Sequence, residues 1–195
     1  MKKTHNYNTY QEYVDYQLIK TSDKDKQKKW LGDEWDKKIN IFYKLFKKNK
    51  LLIKDKKNAI CLGSRTGQEV VALKKIGINN CIGIDLHEFK PYTIKGDIHN
   101  IKFSDNHFDL AFTNIFDHSL YPEKFVSEIY RILDKDGIFI LHLQLDIKQD
   151  KYTEVIVKDI NILKKLFIDN NFEIISEGNI NSGCIAMNYE IVFKK

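Results

Sequence analysis

The central part of the chain alternates between short apolar runs bounded by glycine and longer segments with a helical period. Residues 59–62 form one such run. This run is followed by a glycine loop at 63–67, a predicted helix at 68–76 and a second apolar run at 81–84. Apolar runs of this length are typical of strands that are buried on both faces. Their alternation with helices predicts a parallel sheet covered by helices on both sides.

The same alternation continues toward the end of the chain. Further strands are predicted at 92–94, 108–113 and 138–143. One helix is predicted to begin at Pro122, and another is predicted over 156–170. The last two predicted strands, 172–176 and 189–193, have no room for a helix between them, so we expect an antiparallel hairpin at the sheet edge. The sequence therefore predicts a three-layer α/β sandwich with a seven-stranded, mostly parallel sheet that is closed by this hairpin.

Residues 1–57 precede the alternating pattern and are predicted to form a helical cap on a core of residues 58–195, within a single domain. One helix is predicted over 7–20 and a second one from the apolar series Trp35, Ile39, Phe42 and Phe46, with a polar break at 21–26 between them. The cap holds 16 lysines and 8 acidic residues, whereas the remainder has a net charge of −3. This basic segment favours nucleic acid, an acidic protein or a phosphorylated substrate as partner, or it is simply a solvated lysine-rich surface.

Several classes of protein are disfavoured by composition. The sequence contains no run near the roughly 20 apolar residues of a membrane helix, and its first residues lack the apolar core of a signal peptide. We therefore expect a cytoplasmic protein without a membrane partner. Its three cysteines, Cys61, Cys81 and Cys184, are widely spaced, and its histidines form no ligand pattern, so no metal is expected.

The glycine loop is the first candidate for a ligand site. Glycines let the backbone approach a ligand closely, and the following helix N-terminus suits a carboxylate or a phosphate. A dinucleotide fingerprint would need glycine at Arg65 and Gln68 as well as at Gly63, which disfavours an NAD-linked oxidoreductase. Asp85, 22 residues after Gly63, can accept hydrogen bonds from ribose hydroxyls. Asp97 can take an adenine amino group, or it is an ordinary turn residue.

Several segments together resemble the class I S-adenosylmethionine (SAM)-dependent methyltransferases, and in particular the type 11 methyltransferase-like group. The matching segments are 61–69 (CLGSRTGQE), 83–86 (GIDL), 96–99 (GDIH), 103–110 (FSDNHFDL) and 121–140. Within the last one, Arg131, Leu133 and Gly137 match an Arg-x-Leu-x-Pro-x-Gly pattern, with Lys135 in place of proline. The resemblance covers residues 58–143 and implies a Rossmann-like fold, SAM as cofactor and S-adenosylhomocysteine (SAH) as product.

The resemblance also implies the cofactor-binding residues: Leu62, Gly63, Ser64, Arg65, Gly67, Glu69, Asp85, Leu86, Asp97, Ile98 and Asn114. The glycines would shape the loop under the methionine, Asp85 would hold the ribose, and Asp97 with the Ile98 amide would hold the adenine. The family usually has an acid where this chain has Cys61 and a glycine where it has Arg65. Glu69 or a backbone carbonyl is a possible substitute partner for the amino group. Arg65 either reaches the methionine carboxylate or pairs with a surface acid.

The candidate catalytic residues follow the strand at 108–113, where the family places residues that face the substrate. Asn114, Asp117 and His118 can position or deprotonate a nucleophile, and histidine is the natural base near neutral pH. Alternatively, Asp117 and Ser119 cap the helix that begins near Pro122. The expected function is in-line methyl transfer to a small molecule, a protein or RNA; the alternative is a SAM-binding regulatory or partner module that does not catalyse.

Overall fold

The computed structural model describes residues 1–145 and 151–195 of the chain. The strands are β1 (Lys2–Lys3), β2 (Asn58–Leu62), β3 (Asn80–Asp85), β4 (Thr93–Lys95), β5 (Phe108–Thr113), β6 (Leu133–Leu143), β7 (Val155–Ile156), β8 (Glu173–Asn179) and β9 (Tyr189–Lys194). The α-helices are α1 (Tyr10–Ser22), α2 (Lys24–Leu31), α3 (Trp35–Lys48), α4 (Lys50–Ile53), α5 (Gln68–Lys75), α6 (Pro122–Ile132) and α7 (Ile160–Asp169).

The main sheet has seven strands in the order β4-β3-β2-β5-β6-β9-β8. Strands β2 to β6 run parallel to one another, and β9 pairs antiparallel with both β6 and β8. The predicted seven-stranded sheet with a closing hairpin is therefore confirmed. Strand order reverses between β2 and β5, and in open sheets of this type ligands bind at the carboxyl ends of the strands beside such a reversal.

Helices cover both faces of the sheet, as expected for a three-layer sandwich. Phe125 of α6 and Phe167 of α7 are buried in the core of one face. Phe46 of α3 and Val70 of α5 are buried in the core of the other face. Helix α3 is thus one layer of the sandwich, although it precedes residue 58, because its apolar stripe has the period needed to lie on the sheet. The division of the single domain at residue 57 remains a prediction.

The N-terminal segment contains four helices where the sequence indicated two, and the additional ones are α2 and the short α4. The polar residues 21–26 were expected to interrupt the helices, but the interruption is confined to Asp23, and Lys24–Leu31 is helical. The Asp23 carboxylate caps this second helix by accepting hydrogen bonds from the amides of Asp25 and Lys26, both at 3.1 Å. Trp30 is buried on the inner side of α2, so tertiary packing supports a helix whose sequence is mostly charged.

A second feature absent from the sequence prediction joins the N-terminus to the segment before α7. Strand β1 pairs antiparallel with β7, which occupies residues that were expected to begin the helix now found at Ile160–Asp169. The buried carboxylate of Glu154 accepts hydrogen bonds from Tyr7 Oη at 2.7 Å and Gln17 Nε2 at 2.6 Å. These contacts hold α1 against residues 152–156. No helix within the described residues is long and apolar enough to cross a membrane.

Candidate active site

The carboxyl edge of the parallel strands gathers most of the predicted site residues. The glycine loop follows β2, Asp85 ends β3, Asp97 follows β4 and Asn114 follows β5. Because the four strands are parallel and adjacent, residues from Gly63 to Asn114, about a quarter of the chain apart, meet at one edge. This edge also lies at the reversal of strand order, which is where a ligand is expected.

The glycine loop has a conformation that its sequence explains. Gly63 and Gly67 have φ angles of +71° and +87°, in the left-handed region that favours glycine. A Cβ atom on Gly63 would collide with the side chain of Ile115, so the loop also needs glycine for space. The amides of Gly63 and Ser64 donate to the Ile84 carbonyl at 2.9 and 3.1 Å, which fixes the loop against β3.

Asp85 is half-buried beside this loop. Its Oδ2 accepts from the Arg65 amide at 2.9 Å, and its Oδ1 accepts from the His87 amide at 3.3 Å. Burial raises the pKa of this carboxyl, while the two amide hydrogen bonds oppose that effect. A carboxylate has about four acceptor positions, so Asp85 retains capacity for further donors such as a pair of hydroxyls.

Glu69 lies on the first turn of α5, and only 4% of its surface is exposed. Burial raises its pKa to about 7, and the nearby charge of Asp85 acts in the same direction, while its own backbone amide and the positive charges of Arg65 and Lys38 lower it. A buried carboxyl group in this condition is well suited to an ammonium ligand, because an added positive charge would favour its ionised form.

Asp97 is held by a hydrogen-bonded chain that reaches α1. The backbone amide of Tyr121 can only donate, so its contact with His99 Nε2 at 3.2 Å places the histidine proton on Nδ1. Nδ1 then donates to Tyr10 Oη at 2.8 Å, and the Tyr10 hydroxyl donates to the Asp97 carboxylate at 2.7–2.8 Å. Although burial acts to raise it, the hydrogen bonds from His99 and Tyr10 leave the pKa of Asp97 below its ordinary value.

His118 has a defined tautomer for a similar reason. Its Nδ1 lies 2.7 Å from the carbonyl oxygen of Tyr152, which can only accept, so Nδ1 carries the proton. Its Nε2 is then left with a free lone pair, 3.8 Å from Oδ2 of Asp117. The alternative in which Asp117 and Ser119 cap the next helix is not what the structure shows, because Tyr121 occupies the N-cap position without a side-chain cap, and Ser119 contacts His99.

Two adjoining cavities lie along this edge. The first is lined by Gly63, Arg65, Asp85, Leu86, Asp97, Ile98 and His118, among others. The second has a volume of about 400 Å³ and is lined by Gly63, Ser64, Arg65, Glu69, Asn114, Asp117 and His118, among others. Leu62 and Gly67 line neither cavity, because the Leu62 side chain is buried in the sheet core and Gly67 caps α5.

The N-terminal helices complete the walls of both cavities, which sequence reasoning missed. Tyr13 and Gln17 of α1 line the first cavity, and the Tyr13 hydroxyl donates to the His118 carbonyl at 2.9 Å. Trp30 of α2 lines the second, with the guanidinium carbon of Arg65 4.2 Å from the centroid of its indole. The aromatic spacing of α1 was a visible signal, but it indicated a helix and not the surface that the helix covers.

Among the described residues, no group of three or more histidine, cysteine, aspartate or glutamate side chains is placed to hold a metal ion. The two cavities are lined by four carboxylates, one imidazole and the glycine loop. Arg65 contacts Trp30 and lines both cavities. Among the described contacts, it forms no ion pair with a surface acid.

Comparisons with known proteins agree with this geometry. Residues 60–141 match the family model described as a methyltransferase domain. One similar structure is the Burkholderia thailandensis 1,6-didemethyltoxoflavin-N1-methyltransferase, solved with 1,6-didemethyltoxoflavin and SAH. Its sequence is 12% identical to this one, and the structures superpose with a TM-score of 0.74 over 98% of this chain and 92% of that protein. A SAM-dependent methyltransferase from Archaeoglobus fulgidus is 16% identical, with a TM-score of 0.63 and coverage of 92% and 99%. No curated protein matches the sequence.

Proposed function

We propose that this chain is a class I SAM-dependent methyltransferase and that it transfers a methyl group from SAM to an acceptor bound beside His118. Its fold and the match over residues 60–141 support the proposal. One observation supports the proposal above the others: the two cavities share Gly63, Arg65 and His118. A cofactor whose nucleoside lies in the first cavity and whose methionine end enters the second would therefore carry its methyl group past residues that both cavities have in common, beside an acceptor in the second cavity.

The residues of the first cavity fit SAM in three respects. Gly63 has a left-handed φ and packs against Ile115 where a Cβ atom would collide, so it contributes bare backbone to the cavity wall. Asp85 has acceptor capacity left for the two ribose hydroxyls, beyond its bonds to the Arg65 and His87 amides. Among the described residues, Asp97 accepts from Tyr10 and from the backbone and side chain of His99, and its carboxylate with the Ile98 amide can hold the adenine.

Glu69 replaces the acid that the family usually has at the position of Cys61. Cys61 is fully buried between strands and faces the core, where it cannot reach a ligand. Glu69 lines the second cavity next to Arg65, which gives the methionine end of the cofactor one carboxylate for its ammonium and one guanidinium for its carboxylate. The substitution at position 61 is thus compensated eight residues later, on the first turn of the helix that follows the loop.

SAM, when bound, would supply an activated methyl group on its positively charged sulfur, to be taken by a lone pair of the acceptor with SAH as the leaving thioether. The chain's own residues align the acceptor and accept its proton. Nε2 of His118 has the free lone pair for that proton, and the Asp117 carboxylate at 3.8 Å stabilises the imidazolium that forms. Asn114 and Asp117 border the same space and can orient the acceptor.

Calorimetric titration with SAM and SAH tests the cofactor site. We expect both to bind, and we expect Asp85→Ala to weaken SAH binding by roughly tenfold or more, because hydrogen bonds to a charged group are lost. Asp55→Ala, a matched change at an exposed aspartate away from the site, should leave the affinity unchanged. Absence of SAM and SAH binding by the unaltered protein would rule out the proposed function.

The role of His118 is tested by following transfer of a labelled methyl group from SAM to fractions of cell extract. We expect His118→Gln to lower the transfer rate by roughly 100-fold or more while SAH affinity stays unchanged. A second candidate function, a SAM-binding module that does not catalyse, is favoured by the non-acidic Cys61 and by Arg65 in place of glycine. SAH binding without methyl transfer to any fraction would support this second candidate.

A further inference from the structure

Arg65 carries a side chain at a position of the glycine loop that rarely accommodates one. Its φ of +48° lies in the left-handed region that residues other than glycine seldom adopt, so the arginine is present there at some cost to the backbone. Its amide donates to Asp85 at 2.9 Å, and its side chain lines both cavities. A side chain retained in this conformation is best explained by a contact that needs it.

Trp30, in the last turn of α2, supplies one such contact. Only 6% of its surface is exposed, and the guanidinium carbon of Arg65 lies over its ring, 4.2 Å from the centroid. A cation over an indole is attracted by the ring face, and the attraction is strongest where water is excluded. Because the guanidinium is planar, the N–H donors at its edge stay free to bind a second group.

The position of Trp30 relative to the loop is fixed by a buried chain of hydrogen bonds. Nε2 of Gln68 donates to the Trp30 carbonyl oxygen at 3.1 Å, and Oε1 of Gln68 accepts from Oγ1 of Thr66 at 2.6 Å. All three residues are buried. Since Gln68 begins α5 and Thr66 belongs to the loop, the indole and the loop form one packed unit, and the ring gives the Arg65 side chain a defined place.

The guanidinium of Arg65 has donors available for a ligand. Within the described residues it forms no ion pair and its side chain donates no hydrogen bond. Burial raises the pKa of Glu69 and that of Asp85, and the positive charge of Arg65 opposes the effect of burial at both. The arginine therefore lies near the two carboxyl groups assigned to the cofactor, while its N–H groups can still bind an anionic part of that ligand.

We infer that Trp30 is a positioning residue that holds the Arg65 guanidinium for the carboxylate of the cofactor, and that the pair makes the site selective for a nucleoside with an intact amino-acid end. The inference rests on the proposed function, because it concerns the same cofactor site. The edge of a guanidinium matches a carboxylate with two parallel hydrogen bonds. Lys29 and Lys38, which also line the second cavity, already share Glu34 at 3.1 and 2.5 Å, so they are less available to the carboxylate.

Decarboxylated SAH is the probe that tests this inference, because it keeps the nucleoside, the thioether and the ammonium group of SAH and lacks only the carboxylate. Titration calorimetry of the full chain with each ligand gives the ratio of the two affinities. We expect the unaltered protein to bind SAH roughly 10- to 100-fold more tightly than the decarboxylated form. Arg65→Gln should bring the two affinities close together, mainly by weakening SAH.

Variants of Trp30 assign the selectivity to the indole. Trp30→Leu should weaken SAH roughly fivefold and leave the affinity for decarboxylated SAH within about twofold, whereas Trp30→Phe, which keeps an aromatic face, should retain most of the selectivity. In the Arg65→Gln background, Trp30→Leu should have no further effect on SAH. Trp35→Leu, at the other tryptophan of the chain and outside both cavity walls, is the matched control and should change neither affinity.

The outcomes separate this inference from the proposed function. Equal affinity of the unaltered protein for the two ligands would overturn the inference alone, whereas absence of binding by either ligand would refute both. A purely structural role of Trp30 predicts that Trp30→Leu weakens both ligands by the same factor, or that it weakens SAH as much when Arg65 is already Gln, and either result would overturn the inference. Where Trp30→Leu does not fold, unchanged selectivity in Arg65→Gln would overturn it as well.

Discussion

Glu69 combines a buried position with a pKa of about 7, and it is the proposed partner of the cofactor's ammonium group. If only its ionised form binds that group, SAH affinity depends on the fraction ionised. That fraction is about one tenth at pH 6 and about nine tenths at pH 8, so the contribution of Glu69 to affinity should rise roughly tenfold between these values. Glu69→Gln removes the titrating group and should remove this rise.

The loss of SAH affinity that we expect for Glu69→Gln at pH 8 follows from the same contact between Glu69 and the ammonium group. A hydrogen bond between a carboxylate and an ammonium group in a buried site contributes about 1.5–3 kcal/mol, so Glu69→Gln should weaken SAH binding by roughly 10- to 100-fold. Titration calorimetry at pH 6, 7 and 8 measures both quantities. The ligand's own titration is common to the two proteins and cancels in the ratio of their affinities. Glu88→Gln, at an exposed carboxylate, is the matched control.

Stability of the free protein supplies an independent check on Glu69. Burial raises the folded-state pKa above the ordinary value of 4.5, so the protonated form favours folding, and the free protein should lose stability as the pH rises from about 4.5 to 7. The full loss corresponds to about 3 kcal/mol for this shift, and Glu69→Gln should not show it. Identical pH profiles of SAH affinity in the wild type and in Glu69→Gln would refute the assignment of Glu69 to the ammonium group.

Two further predictions concern the cap and the sandwich. Tyr10→Phe removes the donor to Asp97 and should lower the free energy of unfolding by about 1.5 kcal/mol at pH 7. Because the pKa of Asp97 lies below 3.8, this difference in stability should shrink as the pH falls below that value. Equal denaturation midpoints of the two proteins at pH 7 would contradict the prediction. Phe46→Ala should lower the free energy of unfolding, measured with denaturant, by about 3–5 kcal/mol, because Phe46 is fully buried. Leu51 is 83% exposed, so Leu51→Ala should change this free energy by less than about 0.5 kcal/mol.

The parts of the fold that could be predicted are those with a local signal. The strand at 59–62 and the loop after it were recognisable because glycine ends an apolar run, and observed strand β2 lies within one residue of that prediction. The hairpin of β8 and β9 followed from the short distance between two apolar runs. In both cases the residues that determine the structure are close together in the sequence, so the pattern itself contains the information.

The parts that escaped prediction depend on partners far along the chain. Helix α2 has a mostly charged sequence and is held by Trp30, which packs beside Arg65 of the glycine loop. The hydrogen bond from Tyr10 to Asp97 joins residues that are 87 positions apart. A period in the sequence identifies the face of a helix that becomes buried, but it does not identify the surface that buries it. The residues of the cap that complete the site were therefore found only in the structure.

The pairing of the N-terminal segment with residues 152–156 has a consequence for the time course of ligand exchange. Its contacts span 135 positions, from Gln17 to Tyr152, up to 154 positions, from Lys2 to Ile156, so they close long loops and should form after the sheet and its helices have folded. Elements that join last are often the first to open in the native state. We therefore expect the amides of α1 to exchange hydrogen faster than those of β2 and β5. The opening rate of this segment would then set an upper limit on how fast a bound nucleoside can leave.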